Sequence, residues 1–182
     1  MPELLATCVV HALLPDAGSV GVTAIDKRPV DGPVAVRKLG LHADVQASRK
    51  HHGGPEQALY VYSQEDAEYW QGELGRSLPA GWFGENLRVS GLDLGAARVG
   101  EQWRIGPTVV VEVTSPRTPC ATFARWVGGA DARGWVKRFA EAQRTGLYLR
   151  VVKTGAIEAG DTIDVLHVPS TAPTITQVFA GV

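Results

Sequence analysis

Long apolar runs are missing from this chain: no stretch approaches the roughly 20 consecutive apolar residues that a membrane-spanning helix needs. Cysteine is scarce. Cys8 and Cys120 are the only two, too few for a disulfide framework, a zinc pattern or an iron–sulfur cluster. An excess of basic charge is missing as well. The formal charge is −1 and the lysines and arginines are scattered, so there is no electrostatic footprint for nucleic acid. The opening "MPELLATCVVHALLPDAG" carries Glu3 where a secretory leader has basic residues, and no small-residue cleavage pattern follows. The expectation is a cytoplasmic protein whose partners include neither a membrane nor a nucleic acid. No internal repeat or long linker divides the chain, so it reads as a single domain over 1–168 with a Pro- and Thr-rich C-terminal arm over 169–182.

What is present is β-rich. The 21 glycines and 11 prolines punctuate short runs that alternate polar and apolar residues, the pattern of half-buried antiparallel strands. Strands are expected at 4–11, 20–25, 34–40, 45–50, 58–63, 86–90, 97–105, 108–113, 147–153 and 162–167. That many short strands suggest a closed or folded-over β structure such as a barrel. Two helices interrupt it. The first, over 63–76, opens with Ser63 as N-cap and Asp66 three residues on, with Tyr69 and Trp70 on its apolar side. The second, over 131–146, places Trp135, Val136, Phe139 and Ala140 on one face and stops at Gly146.

The residue that asks for an explanation is Cys120, in "TSPRTPCATFARW" after the apolar run "TVVVEV". Thr118 reads as an N-cap, Pro119 as the first helical position, and Cys120 as a residue of the first turn. Unpaired backbone N–H groups and the helix dipole there favour a thiolate. Arg117 and Arg125 add positive charge if they turn inward, and the same features suit an anionic ligand. The bland alternative is a small buried residue beside an ordinary cap. Cys8, inside the apolar "ATCVVH", reads as core packing.

Two further stretches bear on function. In "KHHGGPEQALYVYS", Lys50, His51 and His52 lead into Gly53, Gly54 and a proline before a strand. Such a turn lets backbone N–H groups approach a ligand closely, or is simply a tight loop with solvated histidines. In "GWFGENLRVSG", Asn86 offers a donor and an acceptor that match the edge of a heterocycle, or serves as a plain turn residue. Glu85 reads as a turn or capping carboxylate.

Together, "KHHGGPEQALYVY", "GWFGENLRVSGL", "RIGPTVVVEVTSPRTPC", "GWVKRF" and "GLYLRVVKTGAIEAGD" resemble the MOSC domain, named after the C-terminal part of molybdenum cofactor sulfurase. The likeness is greatest to the bacterial stand-alone branch associated with 6-N-hydroxylaminopurine resistance, and it runs from the first strand to Val168. The resemblance implies a mainly β fold, a MOSC-type barrel of the pyruvate kinase β-barrel kind with two or three short helices. It implies that Cys120, the family's characteristic cysteine, is the catalytic metal ligand, holding the molybdenum of a bound molybdenum cofactor (molybdopterin). It makes Asn86, Lys50, His51, His52, Gly53 and Gly54 candidate contacts to that cofactor, and Arg117, Thr118 and Arg125 candidates for its phosphate. The implied activity is reduction of small N-hydroxylated compounds such as hydroxylaminopurines and amidoximes. The chain runs only about fifteen residues past "TIDVLH", so electrons are expected from a separate flavin or ferredoxin-type reductase.

Two other readings stand beside this one. A non-catalytic carrier would hold the molybdenum cofactor, or carry sulfur as a Cys120 persulfide. A cysteine hydrolase would use Cys120 with His51 or His52 as base, but nothing in the sequence sets a histidine beside the cysteine, and it ranks last.

Overall fold

The computed structural model describes residues 1–18, 20–45 and 53–181. The strand expected at 45–50 therefore lies, beyond Val45, outside the described residues, as do Lys50, His51 and His52. The other expected strands are found at these places: β1 (Glu3–Pro15), β2 (Val22–Pro29), β3 (Val34–Arg37), β4 (Gly40–Leu41), β5 (Leu59–Ser63), β6 (Leu87–Ser90), β7 (Gln102–Ile105), β8 (Val109–Pro116), β9 (Leu147–Lys153) and β11 (Ile163–His167), with β10 (Gly155–Ile157) inserted. Four helices are interleaved: α1 (Gln64–Leu74), α2 (Ala121–Val127), α3 (Trp135–Ala142) and α4 (Ile175–Ala180).

Hydrogen bonding arranges the strands as one large sheet, β11-β7-β8-β9-β5-β6-β1-β2, and a small one, β10-β3-β4. Among the described residues only β5 and β6 pair in parallel, because α1 is the crossover between them. The large sheet curls until its ends meet. A bridge between Glu3 and Thr162, with bonds from Leu4 N–H to Asp161 and from Ile163 N–H to Pro2, ties β1 to the start of β11. Seven strands thus form a ring, and β2 hangs from the far half of β1 as an arm.

The sequence of β5 shows why the molecule has two cores. Leu59 and Val61 point into the ring and join Leu4, Leu87, Val111 and Leu149. Tyr60 and Tyr62 point outward, yet they are equally buried, because α1, α2 and α3 pack a second, aromatic core over them from Trp70, Phe83, Phe123, Trp135 and Phe139. The tryptophans and phenylalanines that mark "GWFGEN", "TFARW" and "GWVKRF" are therefore mainly packing groups.

Several local expectations change. The 97–105 strand is only β7; before it the Glu101 carboxylate accepts from Arg98 N–H (3.0 Å) and Trp103 Nε1 (2.7 Å), which holds a turn. The run 34–40 breaks into β3 and β4 around a tight hairpin at Lys38 and Leu39. Helix α1 starts as expected, with Ser63 Oγ accepting from Asp66 N–H at 3.0 Å, but of the Tyr69–Trp70 pair only Trp70 is buried. Helix α3 buries Trp135 and Phe139, leaves Val136 exposed, and ends at Ala142 with Gln143 left-handed. The tail expected as a surface arm carries α4, started by a full capping box of Thr174 and Gln177, and Ile175 on it is buried in the main core.

Candidate functional site around Cys120

β8 leaves the sheet at Pro116, still paired with Leu147 of β9, and Arg117 N–H reaches the Gly146 carbonyl at 3.4 Å. This contact keeps the chain extended past the point where a helix was expected. Thr118, immediately before a proline, is disfavoured from helical geometry. The N-cap is accordingly Cys120, not Thr118, with φ −137° and ψ 168°, and the first helical bond runs from Ala124 N–H to the Cys120 carbonyl at 3.2 Å. Thr118 is exposed and Pro119 buried. The Cys120 side chain makes no capping bond, and it is half-buried.

Behind it lies an unusual cation. Arg117 is only 9% exposed and has no carboxylate partner among the described residues. One of its N–H groups donates to the Phe83 carbonyl at 3.1 Å, and its guanidinium carbon sits 4.5 Å from the Phe123 ring centre and 4.9 Å from that of Tyr60. Burial by itself works against its charge, but the phenol oxygens of Tyr60 and Tyr148 and the Cys120 sulfur more than offset this and push its pKa upward. A buried, aromatic-stacked arginine that faces oxygens and sulfur instead of a carboxylate is a fixed positive charge beside Cys120. Tyr148, partly buried on β9, completes this wall; burial first of all, and the Cys120 sulfur less, hold its phenol above the ordinary value, with Arg117 opposing.

Arg125 also lies within electrostatic reach of the sulfur, but its fork is engaged. Its Nε and Nη2 each bond the Asp16 carboxylate at 2.7 Å, and Thr122 Oγ1 donates to the same carboxylate at 3.0 Å. Asp16 stands at the tip of the β1–β2 arm, so this contact clamps the arm to α2 two to five residues after Cys120.

The amide of Asn86 is fully used within the protein. Its Oδ1 accepts from Tyr60 N–H (3.1 Å), and its Nδ2 donates to the Cys8 carbonyl (3.3 Å) and to Asp44 (2.7 Å). Asp44 in turn receives Val10 N–H and the Lys27 ammonium. Asn86 thus knits β1, β5 and the 42–45 loop together, with both of its N–H groups engaged inside the protein. Glu85 is deeper still: its carboxylate accepts from Gly81 and Phe83 N–H (2.7 and 2.9 Å) and pairs with the buried Arg88 at 2.5 Å. The "GEN" stretch is a buried polar scaffold that shapes the "GWFG" loop, whose Phe83 carbonyl holds Arg117.

Gly53 donates to Gln57 Oε1 at 3.1 Å, and Gly54, at φ 88°, opens the short 3-10 turn at Pro55–Gln57. Thr114 Oγ1 stitches that turn to the β8–β9 pair by bonding both the Glu56 carbonyl (2.6 Å) and the Tyr148 carbonyl (3.0 Å). A hollow of about 300 Å³ opens beside Gly54, lined among others by Arg37, His42 and Asp44. The structure therefore brings Cys120, Arg117 and Tyr148 together, sets Arg125 alongside in an ion pair, and places Asn86 and the glycine pair on the surrounding scaffold. Tyr60, Tyr148 and Asp16 were not singled out by sequence; "LYVY" and "LYLR" each place tyrosine on the outer face of a strand, but nothing local says that Tyr148 is the one beside Cys120. Among the described residues, no three His, Cys, Asp or Glu side chains converge as a metal cage.

Comparison with known proteins settles the kinship. The model of the MOSC domain matches residues 48–164. The chain belongs to the MOSC domain family. This MOSC protein is 34% identical over 144 residues to the uncharacterized protein YflK of Bacillus subtilis, an alignment covering 79% of this chain and 63% of that one. It is 33% identical over 150 residues to a protein named reductase from Gibberella moniliformis, covering 81% of this chain and 26% of the other. It thus spans less than two thirds of the length of either. The crystal structure of YiiM from Geobacillus stearothermophilus superposes with a TM-score of 0.79 at 28% identity, over 98% of this chain and 82% of that one. The mainly β MOSC architecture expected from the sequence is therefore the observed one. Among the described residues no helix is long and apolar enough to cross a membrane.

Proposed function

We propose that this MOSC protein binds the molybdenum cofactor through Cys120 and reduces small N-hydroxylated compounds, drawing electrons from a separate flavin or ferredoxin-type reductase. The observation that carries the reading is the partly exposed Cys120 sulfur, free of any capping bond, set beside the buried Arg117, which has no carboxylate partner among the described residues.

The donor set fits the group. One soft sulfur with no cage of further ligands among the described residues suits a metal that brings most of its own coordination, as a dithiolene-bound molybdenum does. Bound there, the cofactor would supply two-electron redox chemistry. The protein's contribution is electrostatic and positional. Arg117 balances the anionic charge of thiolate and dithiolene without having to reorganise, because its ring contacts and its bond to the Phe83 carbonyl hold it still. Thr118, exposed beside it, remains a candidate for the pterin phosphate. Arg125 joins in that role only by sharing or releasing Asp16. The reductase name of the Gibberella relative is consistent with redox chemistry on this domain.

Elemental mass spectrometry tests the binding claim, with the protein expressed in a host that makes the cofactor. Near-stoichiometric molybdenum in the wild type and little in Cys120→Ala is the expected result. Equal metal in both, or none in either from a host shown to load another molybdenum enzyme, would overturn it. Turnover of a hydroxylaminopurine or an amidoxime with an added reductase then tests the reaction.

A further inference from the structure

Three tyrosines line the outer face near Cys120, and their hydroxyls are used differently. Tyr60 donates to the Thr145 carbonyl at 2.8 Å, and Tyr62 to the Arg144 carbonyl at 2.7 Å, so both protons are committed inside the protein. No such acceptor meets the Tyr148 hydroxyl among the described residues. Its ring is fixed against Tyr60, with centres 5.4 Å apart, and its backbone is held opposite Ser115 and by Thr114 Oγ1. The side chain is thus packed on one face, only partly exposed, and within electrostatic reach of Arg117 and Cys120.

Arg117 lies within electrostatic reach of the Tyr148 phenol oxygen. A guanidinium only donates, so where it faces the phenol oxygen it occupies that oxygen as an acceptor. The one proton of Tyr148, which no backbone carbonyl among the described residues accepts, is left for a group delivered beside Cys120. Such a group meets there a single neutral donor on a packed aromatic stem.

We propose that Tyr148 is the substrate-orienting residue of this site, donating a hydrogen bond to the oxygen of the substrate's N–OH group. The inference rests on the proposed function for the substrate class, but its test does not depend on turnover. A neutral donor aimed at an oxygen contributes about 0.5–1.5 kcal/mol, or roughly a two- to tenfold effect on affinity. The recognition is selective for oxygen, since a compound lacking the N–OH oxygen has nothing to accept.

The test is equilibrium binding of benzamidoxime, and of benzamidine as the matched ligand without the oxygen, to wild type and Tyr148→Phe. Both proteins are taken from a cofactor-making host with molybdenum content and thermal midpoint recorded. The expected result is benzamidoxime weakened two- to tenfold in Tyr148→Phe, benzamidine unchanged, and metal content and midpoint unchanged. Equal loss for both ligands would reveal a structural role, and no loss for either, or no binding of benzamidoxime to the wild type, would equally overturn the proposal. If the selective loss is found but the loaded wild type turns over neither amidoxime nor hydroxylaminopurine, the reductase reading falls while the role of Tyr148 stands.

Discussion

Glu85 and Arg88 show at the residue scale how much of a motif is scaffold. Both side chains are almost wholly buried, and each is satisfied by the other together with Gly81, Phe83, Gln64 and Pro79. Removing one partner leaves a buried charge without compensation, which costs about 3–5 kcal/mol. Glu85→Ala is therefore expected to lower stability by about that amount in urea unfolding, and to displace the loop that holds Arg117. A loss near zero would mean that the pair is not buried in solution. The two cysteines differ just as sharply. Cys8 is fully buried, and burial pushes its thiol up to about 12, whereas Cys120 is partly exposed. Brief treatment of the metal-free native protein with iodoacetamide at pH 8 should label Cys120 alone, with Cys8 labelled only after denaturation, as read by peptide mass mapping. This contrast was legible in the sequence, because a cysteine inside an apolar strand and one between a proline and a helix differ locally. Its surroundings were legible only in part. Arg117 is close in sequence and was named, but Tyr148 arrives on β9, far along the chain, through sheet pairing, and Asp16, after β1, comes in through its ion pair with Arg125.

The elements tell a similar story. Alternation and turn residues revealed where most strands lie, since those signals are local. They did not reveal where α2 begins, because the chain before it is held extended by the bond from Arg117 N–H to Gly146, the residue just before β9. Gly146 itself is held at φ 67°, where an added Cβ would lie 2.4 Å from the Val61 carbonyl oxygen. Gly146→Ala is expected to destabilise the protein by well over ~1 kcal/mol, combining left-handed strain with a backbone clash. The β1–β2 arm adds a pH dependence. The hydrogen bonds from Arg125 first of all, opposed by burial and helped by bonds from Gly18 and Thr122, hold the Asp16 carboxyl at about 2 instead of 3.8. A depressed carboxyl stabilises the fold above its unfolded value, and the contribution is lost as pH falls through the folded value. The thermal midpoints of wild type and Asp16→Asn should therefore differ near neutrality and converge between about pH 4 and pH 2. The difference will be small, because Arg125 reaches solvent. A gap that widens in acid would contradict the assignment.

At the scale of the whole molecule, the ring of strands is closed by few bonds, and its open end is stoppered by the C-terminal segment. Closure depends on pairing between the first residues and those near 160, which no local pattern announces; the curvature was expected only from the number of short strands. The tail was misjudged for a related reason. Prolines and threonines read as a surface arm, yet Thr174 and Gln177 form a capping box and Ile175, 2% exposed, plugs the main core. The segment is also sewn to the turn before β7, through bonds from Val99 N–H to Pro173, from Ile175 N–H to Ala97, and from Arg98 to Ala172. Ile175→Ala removes a side chain that fills the end of the core, so it should cost about 2–5 kcal/mol. Truncation after Val168 should cost more, because it also frees the backbone groups of Ala97 and Val99 at the turn that leads into β7. If the truncated chain instead melted with the full-length protein, α4 would be a passenger and the ring would hold its shape through the Glu3–Thr162 closure alone. If both variants lose stability in the expected order while retaining Cys120 labelling in the folded state, the stopper and the site are separate units of one barrel. The helical face carrying Cys120 would then tolerate changes at the opposite end of the chain.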